Sequence, residues 1–158
     1  TDSLPAIAIG MERSTKDILK EKPRNPSVGI LTPATMKQLG IQGILIAVVT
    51  MSAYFLGLKE SWAIATTMAF STLCLSRLFH GFNCRSQRSL YRIGLFTNKY
   101  SILAFVIGFC FLNAILLWQP LHSLFSVTTI TMTQLFTIYG LALIPTALIQ
   151  LGRMLRHR

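Results

Sequence analysis

Four stretches of the chain, residues 39–58, 61–82, 100–118 and 134–151, each hold close to the ~20 mostly apolar residues that an α-helix needs to cross the hydrocarbon core of a bilayer. Only the second contains a charged residue, Arg77. In lipid no water is at hand for backbone N–H and C=O groups, so a lone apolar stretch must satisfy them within itself, as a helix. Composition agrees: 52% of the 158 residues are hydrophobic and only 13% charged, against roughly a quarter charged in a soluble domain. The same figures exclude a disordered chain, which would be poor in apolar residues and rich in charge. The expected fold is an all-α, polytopic membrane helical bundle. Residues 1–10 read as the end of one further apolar helix that begins before Thr1, so the chain reads as the C-terminal part of something larger.

The charges between the spans predict the orientation. Lys and Arg near membrane ends stay on the cytoplasmic side. Residues 11–38 carry Arg13, Lys16, Lys20, Lys22, Arg24 and Lys37, residues 83–99 carry Arg85, Arg88, Arg92 and Lys99, and the tail carries Arg153, Arg156 and Arg158. The opposite side keeps Lys59 alone, in a tight Lys59-Glu60 turn. Residues 11–38 are therefore expected as a cytoplasmic loop, the protein as a multi-pass protein of the cell membrane, and its C terminus in the cytoplasm. The net charge of +10 could suggest nucleic acid as a partner. The basic residues, however, fall at membrane edges, where they set topology and meet anionic headgroups, so the lipid bilayer is the expected partner and nucleic acid is not. Trp62 and Trp118 stand at outer ends of spans, where interfacial aromatics belong. Pro145 is expected to kink the last span. Cys74, Cys84 and Cys110 are odd in number and widely spaced, which predicts buried free thiols and no disulfide framework.

Asp2 precedes an apolar helix end, and carboxylates at membrane depth are expensive and usually functional. With the Thr1 hydroxyl it offers hard oxygen donors of the kind that Ca²⁺, Mg²⁺ or Na⁺ accept. From spacing alone, an N-cap role for Asp2 is equally open. The longer string Thr1-Asp2-Ser3-Leu4-Pro5-Ala6-Ile7-Ala8-Ile9-Gly10-Met11-Glu12, with Lys22-Pro23-Arg24-Asn25-Pro26 after it, resembles the sixth transmembrane helix and the following loop of type II P-type cation ATPases. Phe79-His80-Gly81-Phe82-Asn83-Cys84-Arg85-Ser86 and Gly94-Leu95-Phe96-Thr97-Asn98-Lys99-Tyr100 are similar to the end of helix eight and the entry to helix nine in bacterial calcium-transporting members. The resemblance covers the whole chain. It implies that Asp2 is a ligand of the transported ion, with Thr1 adding oxygen, and that Ca²⁺ is the cargo. It also implies an N-terminal part of the same polypeptide that binds ATP and Mg²⁺. The parent chain would be an ion-translocating ATPase, whereas this fragment, without phosphorylation and nucleotide domains, would not hydrolyse ATP. A sodium, potassium or manganese pump, or a multi-span transporter or scaffold that is not an ATPase, is the alternative.

Arg77 is the other residue that demands an explanation. A guanidinium near the bilayer centre costs about 2.5–3.5 kcal/mol on insertion scales. At 1.5 Å per residue it lies about 22 Å along the helix from Trp62, in the cytoplasmic half, where it could snorkel to the headgroups. By the resemblance it stands where two-site calcium pumps place a carboxylate, which would make it an ion-site modulating residue: a permanent positive charge in place of a second cation, leaving one Ca²⁺ per ATP. Thr66, Thr67, Ser71 and Thr72 in the same span, with Asn113 and Gln150 elsewhere, are expected to bond to helix backbone or pack between helices. His80 has no second ligand at metal spacing and is expected as a packing residue.

Overall fold

The computed structural model describes residues 3–11, 32–84 and 98–156. They form six helices: α1 (Ser3–Gly10), α2 (Pro33–Leu58), α3 (Trp62–Cys84), α4 (Lys99–Leu117), α5 (Gln119–Phe125) and α6 (Met132–Arg156). Among the described residues there is no strand, and α2, α3, α4 and α6 are long and apolar enough to span a membrane. The all-α reading holds.

Local chemistry sets where these helices begin. Thr32 caps α2 by accepting the Thr35 N–H at 3.2 Å, and Pro33 occupies the first turn, where its missing N–H costs nothing. The helix therefore starts at Pro33, ahead of the apolar run at residue 39, and residues 33–38 belong to α2 rather than to the loop. Ser61 opens α3 by accepting from the Ile64 N–H at 3.2 Å, and Asn98 opens α4 by accepting from the Ser101 N–H at 3.1 Å. Thr131 and Gln134 form a capping box at α6. The Thr131 hydroxyl accepts from the Gln134 N–H at 3.3 Å, and the Gln134 side-chain oxygen accepts from the Thr131 N–H at 2.8 Å. In the connection before α6, α5 has no counterpart in the sequence reading; it ends at Ser126, whose φ of 52° is left-handed. Helix α6 continues through Pro145.

The core lies among α2, α3, α4 and α6, where Ala53, Met68, Leu75, Leu112, Leu116, Leu135, Ile138 and Ala142 pack together. Small residues bring the backbones close, as membrane interfaces require when burial drives nothing between helix and lipid. A Cβ built on Gly57 of α2 would stand 2.7 Å from the Ala65 Cα of α3. A file of rings, Phe79 and Phe82 on α3, Phe105 and Phe109 on α4 and Tyr139 on α6, ties three helices along one seam. Outward-facing residues remain apolar, among them Ile44, Val48, Met51 and Phe55 on α2.

The cysteine expectation needs correction. None of the three is joined in a disulfide, but Cys84 and Cys110 are exposed and only Cys74 is half-buried. A thiol is a small apolar group, and on a helix facing lipid nothing drives it inward.

Candidate functional site

Thr1 and Asp2, the two residues that resemblance made ion ligands, lie outside the described residues. What the structure describes is the helix they lead into and what holds it. Helix α1 packs against α4 and touches α3. At its end the Ile7 carbonyl accepts from the Met11 N–H at 3.1 Å, and the Ala8 carbonyl accepts from the Asn98 side-chain amide at 3.0 Å. Asn98 is 5% exposed and Ala8 4%. The sequence reading gave Asn98 no role. Its capping half could have been read from an Asn three residues before Ser101, but its bond to a residue 90 positions away could not.

Arg77 falls on the outward face of α3. Thr72, Leu75, Ser76 and Leu78 are buried on the side facing α2, α4 and α6, whereas Arg77 is exposed with Phe70 and Leu73. Arg77 thus belongs to the exposed face of α3. Glu60 is the one carboxylate among the described residues, and it is engaged at the α2–α3 turn, where its Oε2 accepts from Gln134 at 2.8 Å. Nor do the described residues hold any group of three or more His, Cys, Asp or Glu side chains that could bind a metal.

Several other polar residues of the spans bond to helix backbone or across helices, while the buried hydroxyls of Thr72, Ser76 and Thr146 meet no hydrogen-bond partner. Thr66 and Thr67 donate to the Ala63 carbonyl at 3.0 and 2.9 Å, and Ser71 to the Thr67 carbonyl at 2.6 Å. Thr67 also accepts from the Thr128 N–H at 3.0 Å, which fastens the segment before α6 to α3. Asn113 donates to the Phe109 carbonyl at 2.9 Å and accepts from the Tyr139 hydroxyl. At the far end of α3, the Asn83 side chain accepts from Gln150 and its carbonyl accepts from Arg153 at 2.8 Å. A cation there opposes the negative end of the α3 dipole. His80 lies 3.4 Å from the Asn83 amide and is half-buried, as a packing residue would be.

A family model described as "Cation transporting ATPase, C-terminus" matches residues 1–155. A protein of Bacillus subtilis named Calcium-transporting ATPase is 34% identical over 152 residues, which is 94% of this chain and 17% of that protein. Calcium-transporting ATPase 1 of Bacillus cereus is 31% identical, covering 92% of this chain and 18% of its own length. A human protein named Calcium-transporting ATPase type 2C member 1 is 27% identical over 146 residues, 89% of this chain and 16% of its own. The chain thus spans less than a fifth of the length of these relatives.

Proposed function

Because the chain belongs to the family of C-terminal regions of cation-transporting ATPases, we propose that it forms the membrane ion-pathway part of an ATP-driven pump that exports Ca²⁺ through a single ion site. The observation that carries this reading is the alignment of nearly the whole chain with a protein named Calcium-transporting ATPase. In this reading the Asp2 carboxylate and the Thr1 hydroxyl supply hard oxygen ligands to Ca²⁺, which accepts six to eight such donors. In this reading further donors come from the part of the polypeptide that precedes this chain; among the described residues the one carboxylate, Glu60, lies at the α2–α3 turn. ATP and Mg²⁺ bind outside this chain as well. Arg77 takes the place of a second cation, and its charge persists at any working pH. The basic ends of the helices face the cytoplasm, with the C terminus on that side.

The test is ATP-dependent ⁴⁵Ca²⁺ uptake by vesicles holding the full-length protein. Uptake is expected in the wild type. Asp2→Asn should abolish both uptake and Ca²⁺-dependent phosphorylation by ATP, while the protein still folds and reaches the membrane. An N-cap role predicts the reverse, since Asn caps about as well as Asp; a fully active Asp2→Asn protein would remove the main ligand from this reading.

A further inference from the structure

We propose that Asn98 is a positioning residue for ion binding: by donating its side-chain amide to the Ala8 carbonyl, it fixes the height and rotation against α4 of α1, the helix into which Asp2 leads. The inference rests on the reading of Asp2 as an ion ligand.

Three observations lead to it. First, α1 is eight residues long, with the sequence Ser-Leu-Pro-Ala-Ile-Ala-Ile-Gly and no basic residue in its last turn. A helix that is apolar on every side has little to choose between one rotation and another, because each buries similar surface. A slip of one residue turns a helix by about 100° and shifts it by about 1.5 Å, enough to take a ligand out of a coordination sphere whose bonds are fixed to a few tenths of an ångström. Rotation must therefore be set by something directional.

Second, the Asn98–Ala8 bond is directional and buried. The last carbonyls of a helix have no partner within it, and a buried carbonyl left without one is costly. Asn98 meets the Ala8 carbonyl at 3.0 Å, and a change in the height or rotation of α1 would carry that carbonyl away from the amide.

Third, Asn98 is itself held. Its side-chain oxygen accepts from the Ser101 N–H at 3.1 Å, which makes the amide part of the α4 N-cap. Capping alone requires only that oxygen, and Asp or Ser would supply it equally well. The amide nitrogen is what the contact with α1 uses. One planar group thus joins the start of α4 to the end of α1, and Asp2 stands six residues before the carbonyl that it grips.

The experiment compares Asn98→Asp and Asn98→Ser in the full-length protein. Both retain an acceptor for the Ser101 N–H and both remove the amide nitrogen that reaches Ala8; Ser, whose shorter hydroxyl stays at the cap, does so without adding charge. The readout is the free Ca²⁺ concentration that gives half-maximal phosphorylation by ATP, each variant normalised to its own maximum so that a smaller folded fraction does not enter. The midpoint is expected to rise about fivefold in both, the factor that the ~1 kcal/mol of one hydrogen bond represents. Asn98→Ala, which also loses the cap, should show the same shift together with a lower melting temperature. A purely structural Asn98 would lower the amount of folded protein and leave the midpoint in place. If Asp2→Asn abolishes phosphorylation while the midpoints of Asn98→Asp and Asn98→Ser stay at the wild-type value, the positioning role is overturned and the ligand role of Asp2 stands. If Asp2→Asn is phosphorylated as the wild type is, the ligand reading falls and this inference falls with it.

Discussion

Arg77 places a permanent charge on the exposed face of α3, in a helix otherwise apolar enough to span the membrane. Two physical roles divide here, and charge rather than size separates them. If the guanidinium takes the place of a second cation, bound Ca²⁺ should count as one per phosphorylation site, with a Hill coefficient of about 1, because a lone site has nothing to couple to. Arg77→Met keeps much of the apolar stem and deletes the charge, so it should shift the Ca²⁺ and pH dependence of phosphorylation. A snorkelling Arg would lose only a modest amount of stability. Two Ca²⁺ per site in the wild type, or an unmoved response in Arg77→Met, would exclude the ion-site role. The residue announced itself in the sequence because a lone charge in an apolar run is conspicuous. Asn98 did not, since a second bond across 90 residues leaves no local trace.

Among the elements, the α2–α3 hairpin is the tightest joint. A Cβ on Gly57 would meet the backbone of Ala65, at 2.7 Å from Cα and 2.9 Å from N, whereas one on Gly108 of α4 would meet the end of the Leu78 side chain at 2.8 Å. Backbone cannot rotate away and a leucine methyl can. Gly57→Ala is therefore expected to cost about 1–3 kcal/mol, the usual range for overpacking, and Gly108→Ala distinctly less. Gly140→Ala, with nothing within 4 Å of the new Cβ, should be neutral or slightly stabilising through helix propensity. Thermal melting of the three variants in one detergent ranks them. If Gly57→Ala melts with the wild type, the two helices are not in contact there. Element ends show how much of this level was legible. Each of the four apolar runs falls on one long helix, yet α2 begins at Pro33 because Thr32 caps it, and a hydropathy criterion is blind to a cap.

Across the whole molecule, the contacts give the relative directions of the helices. Phe82 meets Phe105, and Leu78 lies against Gly108, so α3 and α4 run antiparallel. The pairs Glu60–Gln134 and Asn83–Gln150 show that α3 and α6 run the same way. That arrangement puts the start of α4 and the ends of α3 and α6 at one edge, with Lys99 and Arg153 there. If charge bias orients the bundle, a single cysteine at position 88, in a background cleared of the exposed native thiols, should resist an impermeant thiol reagent added to intact cells. One at position 123 should react; labelling at 88 and not at 123 would invert the topology. Span number, helical class and charge asymmetry were determined by the sequence alone, because each follows from the length and polarity of contiguous segments meeting a slab of lipid. Which faces meet was decided by the tertiary structure alone. Lipid is as apolar as a leucine side chain, so hydrophobicity cannot mark the buried face of a membrane helix. Close backbone approach at Gly57, the ring seam through Phe105, and hydrogen bonds such as Asn98–Ala8 select it instead, and these exist only once distant segments are side by side.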